Sequence, residues 1–151
     1  VDLGHLFERN EKIRFFMPVR NPLDCAASNH RRPPKVALFQ ELGREPSLEE
    51  VLESVLEELL WFLGLERRYP ERFCHLFEHS FAESVVSDLA AFLELKPDER
   101  WLASVMENRP VKSAYRHDEK LNRYYVECVE ERFLAYPSVL AKLLEFANKG
   151  N

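Results

Sequence analysis

The stretch Arg20-Asn21-Pro22-Leu23-Asp24-Cys25-Ala26-Ala27-Ser28 decides the predicted fold, because it is typical of a turn between a strand and a helix. Asn21 is a favoured N-cap residue, and Pro22 has the fixed φ that suits the first helical position. Asp24 falls in the first turn, where a carboxylate interacts favourably with the helix dipole. We therefore predict that a helix begins at Pro22.

Short apolar runs predict two strands. The first, residues 13–19, ends just before the predicted helix, and the second is Phe73–Phe77. Both have the length and apolar character of buried strands in an α/β sheet. Pro18 should lie at the C-terminal end of the first strand, since proline cannot donate to a sheet ladder.

The turn also carries groups that bind anions. Arg20 precedes the positive end of the predicted helix, where free backbone N–H groups and a guanidinium together form a natural anion site. Ser28, two turns further on, would add a hydroxyl. On spacing alone an ordinary turn explains the pattern equally well, with Arg20 solvated and Ser28 packed or bonded to its own helix.

The pattern Arg20-Asn21-Pro22-x-Asp24-x-x-x-Ser28 resembles the 3′-phosphate-binding motif of sulfotransferases that use 3′-phosphoadenosine 5′-phosphosulfate (PAPS). The resemblance implies that Arg20 and Ser28 hold the 3′-phosphate of this cofactor. It also implies an α/β, P-loop-NTPase-like fold, in which a parallel sheet is flanked by helices. The implied reaction moves a sulfuryl group from PAPS to a hydroxyl or amine acceptor, without a metal.

Residues 72–95 are similar to a second pattern of that family: a strand, a Tyr-Glu-Asp-Leu-like stretch and a helix that ends in Phe-Leu-Gly-Leu. The matching positions here are Phe77-Glu78-His79-Ser80 and Phe92-Leu93-Glu94-Leu95. This segment departs from the pattern in three ways, because the usual Asp-Leu is replaced, the segment is shorter, and Glu94 stands for the usual glycine. In the first strand, Pro18 stands where the family usually has an aliphatic residue.

The glycine-containing loop that would cradle the 5′-phosphosulfate is not found in the sequence. The four glycines never cluster, and residue 1 is Val. We therefore expect a single partial sulfotransferase domain over residues 1–151, whose N-terminal part with that loop is missing. The catalytic base stays unassigned. His5 and Glu8 qualify by position only, and a solvated or capping role explains either one.

The composition is that of a soluble globular domain, with 46% hydrophobic and 31% charged residues among 151. A net charge of -5 argues against broad binding to nucleic acid or anionic membranes. No apolar run approaches the roughly 20 residues of a membrane span. Arg31, Arg32 and Lys35 form a local basic cluster with Arg20, although a solvated loop explains the first three.

The cysteines and histidines favour no metal site. Cys25, Cys74 and Cys128 are far apart in the sequence and lie within apolar patterns, which predicts buried free thiols. The five histidines lack HExxH or paired Cys/His spacing. A reducing cytoplasm suits such thiols, and the Golgi lumen is the alternative if an anchor was removed.

Most of the remaining chain is predicted to be helical. Ser47 and Glu50 form a capping box for a helix over residues 47–63, which Gly64 would close. Further helices are predicted after a second capping box of Ser80 and Glu83, from Pro97 onward, and over residues 120–134 and 138–147. Their apolar stripes are expected to be core faces. The linkers are expected at residues 31–46 and 108–117.

Two other functions remain open from the sequence. A noncatalytic helical interaction domain would equally have amphipathic helices and no phosphosulfate loop. Another phosphate-handling α/β enzyme, such as a nucleotide kinase, would share the strand, turn and helix, although the GxxxxGK[ST] motif is missing. The acceptor and the oligomeric state cannot be read from the sequence. Carbohydrates, small alcohols, phenols and peptide tyrosines all stay possible as acceptors.

Overall fold

The computed structural model describes residues 4–31, 40–108 and 117–148. The described chain is rich in helix, and its two strands pair in a small parallel sheet. This confirms the α/β prediction in its coarse form. The elements in chain order are α1 (Gly4–Arg9), β1 (Phe15–Val19), α2 (Pro22–Arg31), α3 (Leu48–Arg68), β2 (Phe73–Phe77), one 3-10 turn (Glu78–Ser80), α4 (Glu83–Phe92), α5 (Glu99–Glu107), α6 (Glu119–Arg132) and α7 (Pro137–Asn148).

The strand β2 has the predicted bounds, whereas β1 begins at Phe15, two residues later than predicted. Before β1, two backbone carbonyl groups bind the side chain of Arg72 rather than a neighbouring strand. Its guanidinium donates to the carbonyl oxygens of Asn10 and Ile13, at 3.0 and 3.2 Å. Pairing of the strand starts with the Phe15 N–H, which donates to the Arg72 carbonyl at 2.7 Å.

The chain forms two compact units, and the first comprises Val1–Pro18 with Phe62–Pro110. Aromatic rings form its centre. The rings of Phe15 and Phe73 stack with their centroids 4.8 Å apart, and Phe73 is only 2% exposed. Three further rings pack around Phe73, those of Phe7, Phe62 and Tyr69.

The second unit comprises Val19–Trp61 with Val111–Asn151, and its core is aliphatic with buried aromatic residues of α6 and α7. Four residues join α6 to α7, so the two helices lie antiparallel as neighbours. Tyr125 is fully buried and its hydroxyl donates to the Leu143 carbonyl at 2.8 Å. Cys128 of α6 is also buried, close to Tyr124 and Arg132 on the same helix, and burial raises the pKa of its thiol.

Charged side chains connect α3 to α6 within the second unit. Glu53 of α3 accepts hydrogen bonds from the Tyr124 hydroxyl and from Arg132, the latter at 2.5 Å. These two donors lower the pKa of the Glu53 carboxyl. The bond to Glu53, together with burial, raises the pKa of Tyr124.

The capping box of α3 is confirmed. The Glu50 N–H donates to Ser47 Oγ at 3.2 Å, and the Ser47 N–H donates to the Glu50 carboxylate at 2.8 Å. The Arg44 guanidinium and this N–H lower the pKa of Glu50 to about 2. The predicted helix end at Gly64 is wrong, since α3 continues to Arg68. Only Gly43 has positive φ among the described glycines, so Gly64 keeps ordinary helical backbone.

Two predictions for the helices that follow β2 are wrong. The second capping box does not form, because Ser80 belongs to the 3-10 turn and α4 begins after Ala82, which makes no side-chain cap bond. Asp98 is the N-cap residue of α5, and its side chain accepts a hydrogen bond from the Trp101 N–H at 2.7 Å. However, Trp101 is 40% exposed and Leu102 and Val105 are only half-buried, so the apolar stripe of α5 is partly covered and is not a core face.

The two C-terminal helices are confirmed within a few residues of their predicted ends. Leu121, Cys128 and Leu143 are buried as expected, whereas Tyr124 and Leu140 are half-buried. Among the described helices, none combines the length and the apolar character needed to cross a membrane.

Helix α4 ends in a Schellman motif whose left-handed residue is Glu94. The Leu95 N–H donates to the Ala90 carbonyl at 2.8 Å, and the Glu94 N–H donates to the Ala91 carbonyl at 3.0 Å. Glu94 has a φ of 58°, a conformation that costs any residue with a Cβ about 1 kcal/mol or more.

We expect Glu94→Gly to stabilise the fold by about 0.5 to 1 kcal/mol, since glycine adopts this conformation without steric cost. The Arg14–Glu94 ion pair lost in this variant is exposed and worth little. Urea unfolding measures the change. Glu94→Ala is the matched control, because it loses the same ion pair and keeps the strained backbone. An equal gain in both variants would contradict the explanation.

We expect Tyr125→Phe to lower the free energy of unfolding by about 1 kcal/mol, since it removes the buried hydrogen bond to Leu143. Burial raises the pKa of Tyr125, so its stabilising contribution is complete below about pH 10, the ordinary tyrosine value, and is lost as the pH rises further. The variant should therefore lose stability less steeply above pH 10. Unfolding curves at pH 7 and 11 check both effects, and parallel losses in the two proteins would contradict the second.

Candidate anion-binding site

The helix α2 begins where the sequence predicts. Asn21 Oδ1 accepts a hydrogen bond from the Leu23 N–H at 3.0 Å, which is an N-cap contact. The Asn21 carbonyl accepts from the Cys25 N–H at 3.0 Å, the first bond of the helix. Pro22, at the first helical position, is buried. The strand end, capped turn and helix start are therefore confirmed as local structure.

The two predicted anion ligands lie on either side of this cap. Arg20 is the first residue after β1 and is exposed, whereas Ser28 lies in α2 and is half-buried. Residues four apart share one face of a helix, so Ser28 lies one turn after Asp24 on the same face. Arg31, at the end of α2, is exposed. The other members of the basic cluster, Arg32 and Lys35, lie outside the described residues.

Asp24 has a partner that sequence reasoning missed. Its Oδ1 lies 2.6 Å from Nε2 of His117, and the two side chains are only 6% and 10% exposed. Among the described residues, Asp24 is the one charged residue in the buried core. No local signal could have shown this contact, because the partners are separated by 93 positions in the sequence.

The pairing with His117 compensates a costly burial. A carboxylate removed from water is strongly destabilising unless hydrogen bonds or an opposite charge replace its hydration. An acidic side chain at the third helical position commonly reaches back to the free N–H groups of the first turn. The Asp24 carboxylate bonds to the imidazole of His117. At the helix start itself Pro22 has no N–H, and the Leu23 N–H is bonded to Asn21 Oδ1.

The first unit contains a second pair of histidine and carboxylate. His75 Nδ1 lies 2.5 Å from Glu66 Oε2, and the two side chains are 21% and 26% exposed. Burial, together with the nearby Glu66 charge, raises the pKa of Cys74. Nevertheless, no three metal-ligating side chains come together anywhere in the described ranges.

The residues considered for the catalytic base lie on α1. His5 Nδ1 is 3.9 Å from Glu8 Oε2, and the two side chains are 81% and 79% exposed. Such an exposed contact between neighbouring helical turns is typical of a solvated surface pair. His5 and Glu8 therefore stay candidates by position only.

Comparisons with protein-family models, with curated proteins and with solved structures found no match for this chain. Any functional assignment therefore depends on the sequence patterns and on the geometry of α2. The strongest of these features is the capped turn that presents Arg20 before the helix.

We expect Asn21→Ala to lower the free energy of unfolding by about 1 kcal/mol, since it removes the side-chain acceptor of the Leu23 N–H. Asn21→Ser is the matched control, because serine is also a good cap and should cost only a few tenths of that amount. Thermal and urea unfolding measure both variants. Equal stabilities of the two variants would show that the cap contributes nothing.

Proposed function

We propose that this chain carries the 3′-phosphate site of a PAPS-dependent sulfotransferase. The proposal depends on one observation: the motif from Arg20 to Ser28 lies on a strand end, an Asn-capped turn and a helix N-terminus. That local structure is the one an anion site of this kind requires. The P-loop-like fold, with its parallel sheet flanked by helices, is part of the proposal.

In the proposed site, Arg20 supplies positive charge and the hydroxyl of Ser28 supplies a hydrogen-bond donor. The dipole of α2 favours a negative charge at its N-terminus. A phosphate dianion has acceptor oxygens for all of these groups. Arg20 is exposed to solvent.

The proposed reaction is sulfuryl transfer. The acceptor oxygen or nitrogen attacks sulfur, and the bond from sulfur to the 5′-phosphate oxygen breaks. The products are the sulfated acceptor and 3′-phosphoadenosine 5′-phosphate, while the acceptor proton passes to a base that is not assigned here. Arg20 and Ser28 act by holding the nucleotide in position, which lowers the entropic cost of reaching the transition state.

The second segment supports the same proposal. After β2 the chain makes the turn Glu78–Ser80 and then α4, which matches the family's order of strand, short acidic stretch and helix. Glu94 stands where that family has glycine, and its φ of 58° is a conformation that favours glycine. The substitution therefore keeps the backbone geometry that the pattern implies, at a cost in strain.

We expect the chain to bind 3′-phosphoadenosine 5′-phosphate more tightly than adenosine 5′-phosphate in calorimetric titrations. Arg20→Ala should weaken binding of the first nucleotide by about 1.5 to 3 kcal/mol, the value of a charge-assisted hydrogen bond. Ser28→Ala should cost about 0.5 to 1.5 kcal/mol. The control is Arg123→Ala, which removes an exposed arginine of α6 in the same unit and should change nothing.

Each other result has a defined meaning. Unchanged affinity in Arg20→Ala would remove the basis of the assignment. Binding that does not depend on the 3′-phosphate would favour another phosphate-handling enzyme. A folded chain that binds neither nucleotide would favour the noncatalytic interaction domain.

A further inference from the structure

We infer that α1 is a strap that opens and closes over the aromatic centre of the first unit while the sheet of that unit stays folded. Phe7 anchors this helix, and Arg72 of the sheet end holds both the anchor and the segment that follows the helix. The inference goes beyond the proposed function, because neither residue belongs to the proposed 3′-phosphate site.

The packing of α1 depends on one ring. The Phe7 ring meets the rings of Phe15, Tyr69 and Phe73 edge to face, with centroid distances of 6.1, 4.9 and 5.9 Å. Edge-to-face pairs of this kind are favourable. Phe7 is half-buried, whereas the other side chains of α1 that the structure describes are exposed: His5, Leu6, Glu8 and Arg9. Phe7 is therefore the main anchor of the helix.

Arg72 holds the strap closed from the start of β2. Its guanidinium lies over the Phe7 ring, 5.5 Å from the centroid, which is a cation–π contact. The same guanidinium donates to the carbonyl oxygens of Asn10 and Ile13, in the segment that joins α1 to β1. One side chain thus connects the helix and the joining segment to the sheet.

The joining segment also has support of its own. Asn10 Oδ1 accepts a hydrogen bond from the Lys12 N–H at 3.0 Å, and the Asn10 carbonyl accepts from the Ile13 N–H at 3.4 Å. These bonds form a local turn in which α1 takes no part. Because Arg72 binds the same turn, the turn keeps its place when Phe7 leaves. The opening motion is therefore confined to the residues before Asn10.

Opening also melts the helix. α1 has six residues, and an isolated helix of fewer than about 12 residues is unstable in water. Its helical form depends on the contacts of Phe7, so protection of its amide hydrogens from exchange reports the closed strap. The Asn10 N–H donates to the Leu6 carbonyl at 3.1 Å and is a direct probe of this state.

Native-state hydrogen exchange at low urea concentrations, followed by NMR, tests the inference. The Asn10 amide reports α1, and the Phe15 amide, which donates to the Arg72 carbonyl at 2.7 Å, reports the sheet. We expect the protection factor of Asn10 to be at least about tenfold lower than that of Phe15 and to depend less on urea, because opening of α1 exposes little surface.

Two results in the original chain would overturn the inference. Equal protection and equal urea dependence of the two amides would show that α1 opens only together with the sheet. An Asn10 amide without any protection would show that the strap has no closed state.

Variants of α1 test the anchor. Phe7→Ala should speed exchange at Asn10 by about a further tenfold and at Phe15 by clearly less. The matched control is Leu6→Ala, which truncates the neighbouring side chain, 47% exposed, and should leave both rates within about twofold of the original. Equal effects of the two variants at Asn10, or equal acceleration of both amides in Phe7→Ala, would overturn the inference. If Phe7→Ala does not fold, the urea dependence of the two amides in the original chain decides.

Discussion

A carboxylate buried at the start of a helix is the constraint on which the second unit depends. Asp24 contributes its charge to the first turn of α2, but its side chain is removed from water and needs a partner in the interior. His117 meets this need at 2.6 Å. The residues just before α6 must therefore return to the N-terminus of α2. One local preference for an acid thus imposes a contact between distant parts of the sequence.

Polar contacts define the junctions of elements in both units, while apolar side chains fill the cores. In the first unit, the guanidinium of Arg72 binds the carbonyl groups of Asn10 and Ile13, which precede β1. In the second unit, Arg132 and Glu53 connect α6 to α3 beside a core of aliphatic residues. Such contacts add modestly to stability but select one arrangement of the helices, since a mismatched charge is costly.

Local features could be predicted from the sequence, because short-range chemistry determines them. The cap at Asn21, the capping box of Ser47 and the strand Phe73–Phe77 all depend on neighbouring residues. The errors arose where a residue has two compatible roles. A glycine such as Gly64 can end a helix or lie within one. Here its backbone is helical, and α3 continues past it to Arg68. Serine is a common N-cap residue, but Ser80 is the last residue of the 3-10 turn and lies two residues before Ala82, the N-cap of α4.

In the candidate site too, the local features were predictable from the sequence and the long-range contact was not. Arg20 and Ser28 were identified from a pattern within nine residues, and the helix that presents them starts where the pattern indicates. The partner of Asp24 could not be predicted, since no periodicity relates residues 93 positions apart. The incomplete burial of α5 could not be predicted either, because an amphipathic stripe shows which face is apolar but not how far another element covers it.

The buried thiol of Cys128 has a consequence for studying motion in the second unit. Only the thiolate reacts rapidly with alkylating reagents, and burial raises the pKa of this thiol while also keeping reagents away. Its alkylation therefore requires a local opening of the side of α6 that carries Tyr124 and Arg132, next to Glu53 of α3. Cys25 and Cys74 are half-buried and provide an internal reference for reagent access. The rate at Cys128 thus reports the free energy of this local opening beside α3 without any engineered label.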